Sequence, residues 1–401
     1  MALLSLLSDD ATILLRWLHV VAAMVWVGSA FALARLDLGM RPRQSDATPQ
    51  SLLLHAGAGF RFLRTQEADA TERALNFKWE AYATWASGFA LLWLIFGAAP
   101  QLYLVDPTLW DAPAWAAITV MIGLLPLVWL AYQLMCKKSG LSGDSLLVAL
   151  YIFAAALGLL LTHLFAGRAA FPLLGALLAT IMTVNIAHII VPAQKKRLAS
   201  LRAGQKADPD DAKNAGARAL HNQYLALPVI FFMLSGHAPL LFAGPYSGAA
   251  AALFLAAGFL IRRVFLKRAR GLGSHWSLAG AAAACLALGL LLSAPVEPQG
   301  DKAAARSAGE AIALLVHPGV AEARTIVAQH CVVCHASAPQ QPGLAHAAGG
   351  LDFSTAGLVA QHRAEILRAA VFSRAMPPPG AARPLDEDER LTLFRWAQAT
   401  R

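Results

Sequence analysis

Cys331-Val332-Val333-Cys334-His335 sets two thiols three positions apart with an imidazole directly after the second. To that spacing a haem is attached through two thioethers, the histidine serving as one axial iron ligand. Such a centre moves electrons one at a time. A second axial ligand is expected at Met376, in Arg374-Ala375-Met376-Pro377-Pro378, where prolines stiffen the turn and a thioether opposite an imidazole raises the potential. The metal ligands are thus expected to be His335 and Met376, with Cys331 and Cys334 holding the covalent haem c. A thiol redox pair or half a zinc site are the other readings of C-x-x-C, and the adjoining histidine and downstream methionine weigh against both. Haem attachment of this kind takes place outside the cytoplasmic membrane, so this segment is expected in a periplasm.

The elements that must carry this centre are apolar. Hydrophobic residues make up 57% of the chain and charged residues 14%, far from a soluble average and in the range of a membrane protein. Apolar runs long enough to cross about 30 Å of hydrocarbon number eight, near 12–34, 80–98, 113–136, 144–165, 170–192, 220–236, 245–265 and 276–295. No basic residue precedes Arg16 and no small-residue cleavage site follows the first run, so a retained helix is expected in place of a signal peptide. Cys136 and Cys285, the two cysteines outside the haem motif, do not look like disulfide partners.

Charge placement orients the spans, because Lys and Arg gather on cytoplasmic loops. The first connection carries Arg35, Arg41, Arg43, Arg61, Arg64, Arg73 and Lys78, the third Lys137 and Lys138, the fifth a run from Lys195 to Arg218, and the seventh Arg262 to Arg270. The even connections offer little beyond Arg168 and hold Asp106 and Asp111. Eight spans with both termini in the periplasm satisfy this pattern. The net charge of +9 is then mostly topology, and a nucleic-acid partner is not expected.

The fold class expected is all-α: a polytopic bundle of about eight transmembrane helices over 1–295, a polar tether over 296–316, and a small cytochrome c domain of class I type over 317–401. Within that last unit a helix should lead into Cys331, another should cover Val359–Phe372, and a third Asp386–Ala399. Asp386 reads as an N-cap, with Leu391, Phe394 and Trp396 as apolar surface.

Anchoring a cytochrome takes one helix, so the polar residues inside the others carry information. His19, His163 and His237 fall toward the outer side; His188, His221 and His275 fall toward the inner side. For most of them an interfacial histidine is the plainer reading. Lys78, Glu80 and Thr84 open the second span and could supply anion contacts and a proton acceptor, or belong to an interfacial belt. Asn185 is an amide deep in the fifth span, where a helix-to-helix hydrogen bond is the alternative. His221-Asn222-Gln223-Tyr224 places imidazole, amides and phenol on one or two turns, suited to the hydrogen-bonding edge of a planar heterocycle.

The chain resembles the bacterial membrane-bound urate hydroxylases with a C-terminal cytochrome c domain. The resemblance runs through Leu15-Arg16-Trp17-Leu18-His19-Val20 with Trp26-Val27-Gly28, Lys78-Trp79-Glu80-Ala81-Tyr82, Gly167-Arg168-Ala169-Ala170, Thr180-Ile181-Met182 with Asn185, and His221-Asn222 with Tyr224. It implies an inner-membrane oxidoreductase of purine catabolism that converts urate to 5-hydroxyisourate and passes electrons through haem c to the respiratory chain, by way of a periplasmic cytochrome or a terminal oxidase. On that reading Glu80, His221, Tyr224 and Arg168 are the candidate catalytic residues, and Lys78, Asn185, Asn222 and His237 the candidate substrate contacts. The first span is also similar to that of membrane oxidases that bind haem b, which makes His19 a candidate ligand for a second haem. The rival readings are a quinol or other small-molecule oxidase or electron-transfer module with a fused cytochrome, and a transporter with a cytochrome sensor.

Overall fold

The structure, a computed structural model, describes residues 2–293 and 319–399 apart from 44, 45, 56, 57, 64–76, 99, 107, 108, 111, 207, 243, 274, 343, 345, 346, 356, 357, 360, 361, 373, 374, 379, 380 and 382. The expected tether over 296–316, the basic residues Arg64 and Arg73, and Arg374 lie outside the described residues.

Helix α1 spans Ala2–Gly39 and packs on α2, Lys78–Leu92, which continues through a wide π-helical turn at Trp93–Gly97. After the short α3, Pro100–Tyr103, come α4 at Ala114–Lys138, α5 at Gly143–Leu164 and α6 at Gly167–Asn185. A second π-helical turn, Ile186–Ile190, joins α6 to α7 at Val191–Arg202 without a break. Helices α8 at Pro209–Leu234, α9 at Ser247–Arg270 and α10 at Trp276–Ser293 complete this part. The core helix is α6, which packs against α4, α5 and α8 and buries most of its length, from Ala169 to Asn185.

Local sequence explains where these helices start and bend. Asp208 caps α8 by accepting from the Asp210 backbone N–H at 2.8 Å, Pro209 takes the first helical position, and Asp210 and Asp211 suit the positive end of the dipole. Gly271 at φ +67° closes α9 after Lys267, Arg268 and Arg270. Pro228 inside α8 is met by Gly258 of α9, where a Cβ would sit 2.7 Å from the proline ring. The missing side chain lets the two helices approach at the bend.

Among the described residues six helical segments are long and apolar enough to cross a membrane: Thr12–Gly39, Ala114–Lys138, Gly143–Leu164, Gly167–Arg202, Ser247–Arg270 and Trp276–Ser293. Eight were expected. The other two, near 80–98 and 220–236, are formed as helices and packed in the bundle, but Lys78 and Glu80 in α2 and the polar first half of α8 keep them below that apolarity. Thr84 and Ser87 of α2 and Arg218 and His221 of α8 are buried within the bundle, as polar groups inside a span tend to be.

The all-α expectation needs one correction. The first connection forms a three-stranded antiparallel sheet in order β1-β2-β3, from Arg41–Arg43, Asp46–His55 and Ala58–Leu63, with Leu53 opposite Phe60 and Ser51 opposite Phe62. A period of two in Phe60-Arg61-Phe62, facing a leucine run, is a strand signal that the density of arginines disguised as a loop.

Residues 319–399 have an apolar core of their own, built on Val327, Ile366, Val371, Leu393 and Trp396. Helix α11 is Gly319–His330, α12 is Arg363–Ile366 with a π-helical continuation to Phe372, and α13 is Glu387–Ala399. The expected cap is present as a reciprocal box: Glu389 N–H donates to Asp386 Oδ1 at 2.8 Å and Asp386 N–H to Glu389 Oε2 at 3.0 Å. Glu389 also holds His330 at 2.9 Å, tying α13 to α11.

Candidate functional site

Where α4, α6 and α8 meet, near the ends marked by Lys137 and Lys195, the bundle holds a polar layer. Tyr132 hydroxyl and His221 Nδ1 are 2.8 Å apart; Asn185 Nδ2 donates to the same hydroxyl and to Asn222 Oδ1, both at 3.0 Å; Asn222 Nδ2 donates to the Met182 carbonyl at 3.0 Å. The Arg218 guanidinium lies 5.0 Å over the Tyr132 ring. Asn185 and Tyr132 are 0% exposed, His221 2% and Arg218 3%, so water does not compensate what the network leaves unpaired.

It leaves a good deal unpaired. Asn185 Oδ1, Arg218 Nη1 and Thr183 Oγ1 are buried without a hydrogen-bond partner among the described residues, and no carboxylate bridges Arg218 there. A buried cation or amide oxygen without a partner is costly. Together they form a donor and acceptor set complementary to a planar anion with polar edges. Glu80 Oε2, in the first turn of α2, is another buried and unpaired atom.

Asn185, His221 and Asn222 are therefore brought together, as the sequence suggested. Tyr132 and Arg218 join them unannounced. Tyr224 packs at 5.4 Å against Phe259 of α9 and stays outside the network. Lys78 lies over the Trp79 ring at 5.3 Å. Arg168 and His237 are at the opposite end of the bundle: Arg168 and Asn185 bound the same helix, about 25 Å apart at 1.5 Å per residue. They cannot serve one small substrate together with Asn185.

Two layers of histidine do not form, since His163, His188 and His237 are exposed on the outside of the bundle. His19 differs. Its Nδ1 is 2.9 Å from the Thr84 carbonyl and 3.1 Å from Ser87 Oγ, and its ring fills the space that Gly88 leaves open, where a Cβ would lie 2.8 Å from Cε1. This places His19 beside the middle of α2, one turn from Trp85, whose Nε1 donates to Thr180 of α6 at 3.0 Å. These contacts fasten α1 to α2 through Nδ1.

The C-terminal unit encloses a cavity of about 550 Å³ lined by Cys331, Cys334, His335, Phe353, Ala370 and Met376 among others. His335 Nδ1 donates to the Leu351 carbonyl at 3.1 Å and the ring stacks on Phe353 at 4.8 Å. A carbonyl can only accept, so that bond fixes the tautomer and leaves Nε2 for a metal, in the manner of oriented histidine ligands. Met376 is positioned by its backbone N–H donating to the Ala369 carbonyl at 2.9 Å. Burial pushes the Cys331 thiol up to about 12, so at neutral pH it is protonated and poorly suited to thiol exchange. No group of three or more His, Cys, Asp or Glu side chains arranged to hold a metal ion occurs among the described residues. Cys331, Cys334, His335 and Met376 are the residues that could hold a covalent haem, and their chemistry fits one.

Residues 5–293 match the urate oxidase N-terminal family. The chain belongs to that family. Neither a curated relative nor a solved structure matches it. The matched region contains the whole Tyr132, Asn185, Arg218, His221 and Asn222 network and stops before the C-terminal unit. With six helical segments among the described residues long and apolar enough to cross a membrane, this is a membrane-associated member of the urate oxidase N-terminal family.

Proposed function

We propose that this protein is a membrane-bound urate hydroxylase of the bacterial inner membrane, with its C-terminal unit a periplasmic cytochrome c domain. Its reaction is urate plus water to 5-hydroxyisourate, two protons and two electrons. The observation that carries this reading is the polar layer at Asn185, where unpaired Arg218 Nη1 and Asn185 Oδ1 lie inside the family-matched region.

Arg218 binds the urate anion through Nη1, and the stacked Tyr132 ring limits its swing. Asn185 Oδ1 accepts from a ring N–H, while Asn222 fixes the Asn185 amide so that this oxygen points one way. His221, whose Nδ1–H donates to the Tyr132 oxygen, keeps an unprotonated Nε2 for the proton of the attacking water. Glu80 takes a second proton at Oε2. Burial of the layer excludes bulk water and strengthens each of these contacts.

Cys331 and Cys334 would hold a covalent haem c, with His335 and Met376 as its iron ligands, and it would supply a one-electron acceptor of raised potential. The distance of about 25 Å from Asn185 to the Arg168 end of α6 would call for an intramembrane relay, for which His19 is the candidate haem b ligand. A periplasmic cytochrome or a terminal oxidase is the proposed onward partner. The test is urate consumption by membranes holding wild-type protein, Cys331→Ala or Arg218→Gln. Wild-type membranes should consume urate, Cys331→Ala only with an added dye acceptor, and Arg218→Gln poorly with either. Wild-type membranes that leave urate untouched with the dye present would overturn the reading, and uptake without oxidation would indicate transport.

A further inference from the structure

Arg168 has a second role available that its distance from the polar layer frees it to play. Its Nη2 donates to the Ala375 carbonyl of the C-terminal unit, and its guanidinium lies 5.6 Å over the Tyr103 ring of α3. It stands in the first turn of α6, the positive end of a helix dipole, where a cation is disfavoured. An acceptor that offsets this position is the Ala375 carbonyl, and Ala375 directly precedes Met376.

The far side of that turn is equally constrained. Met376 N–H donates to Ala369, and Arg390 of α13 donates to the carbonyls of Ala370 and, at 3.4 Å, Met376. Two arginines therefore hold the Met376 segment, Arg390 from within the unit and Arg168 from the bundle. Ala369, Ala370 and Met376 line the cavity, and Ala375, the residue that Arg168 of α6 reaches, directly precedes Met376.

We propose that Arg168 is a docking residue that seats the C-terminal unit on the outer end of α6, so that its redox cavity meets the bundle through the Met376 turn. The docking stands on the contact itself. Its meaning for electron transfer rests on the proposed function.

Hydrogen exchange on the full-length holoprotein in lipid nanodiscs tests it, with Arg168→Gln and Arg168→Lys as variants. In Arg168→Gln the amides of 367–376 should exchange about tenfold faster, the scale of a lost charge-assisted hydrogen bond, while α11 and α13 keep their protection. Arg168→Lys, which still donates, should recover part of it. Equal exchange in all three proteins, or loosening spread evenly over the unit, would overturn the docking. In single-turnover mixing with urate, reduction of the C-terminal centre should slow with KM unchanged. A shift in exchange without any reduction by urate, even in wild type, would uphold the docking and sink the proposed function.

Discussion

Tyr132 and His221, from helices α4 and α8, share a 2.8 Å hydrogen bond whose phenol oxygen also accepts from Asn185 of α6. One hydroxyl thus joins three helices. The phenol oxygen has two lone pairs, so it can accept from Asn185 and from His221 Nδ1–H together, which would leave the histidine neutral with Nε2 unprotonated and free to take up a proton.

Tyr132→Phe should therefore do more than remove one bond. It strands Asn185 and His221 in a buried layer, at about 1–3 kcal/mol of stability. If His221 must be oriented to accept a proton, kcat for urate should fall about tenfold or more with KM little changed. Steady-state kinetics with a dye acceptor and thermal unfolding in detergent separate the two effects. Unchanged kcat would remove His221 from the base role.

Arg218→Gln should behave in the opposite sense. Losing the guanidinium that lies over the Tyr132 ring should raise KM for urate about tenfold or more while kcat falls less, the pattern of lost ground-state binding. Arg218→Lys should recover part of the affinity but not its geometric selectivity, because an ammonium lacks the planar fork. Inhibition by uncharged purine analogues should be less sensitive to both changes.

Gly88→Ala probes the His19 contact. The new methyl would lie 2.8 Å from His19 Cε1, and overpacking of this kind costs about 1–3 kcal/mol. In combination with His19→Ala the penalty should largely vanish, giving a double-mutant coupling measurable as Tm in lipid nanodiscs. Additive losses would show that the imidazole is not what fills the space beside Gly88.

Cys331→Ala and Cys334→Ala should each remove a thioether. Alkaline pyridine spectra and the intact mass should show a singly linked or absent porphyrin, and the double variant none. A wild-type mass equal to that of the bare chain would remove the cytochrome assignment altogether.

The sequence made Asn185, His221 and Asn222 conspicuous because polar side chains stand out in apolar runs. Arg218 was hidden by its company: among Lys195, Lys196, Arg197, Arg202 and Lys213 it reads as one more topogenic charge, and only its 3% exposure separates it from them. Tyr132 was hidden for a different reason, since an aromatic next to Lys137 and Lys138 fits an interfacial belt. Arg168 was visible as a lone charge on an otherwise neutral connection, but its partner lies more than two hundred positions away, at a distance no local pattern reports. The Cys331–His335 motif needed no tertiary information to be noticed, because it is written in contiguous residues. The sheet of the first connection was missed where alternation was short and charge abundant.

The wide turn at Ile186–Ile190 begins at the residue after Asn185. Such a turn accommodates one more residue than the regular spiral, so it acts as a phase offset between the stretch that carries the amide and the cationic stretch that follows. Deleting a single position there would restore uniform pitch and leave Val191–Arg202 near its present angle about the axis, because the wide turn already absorbs the extra residue. The orientation of that cationic rod is thereby buffered against a one-residue change of length beside the amide.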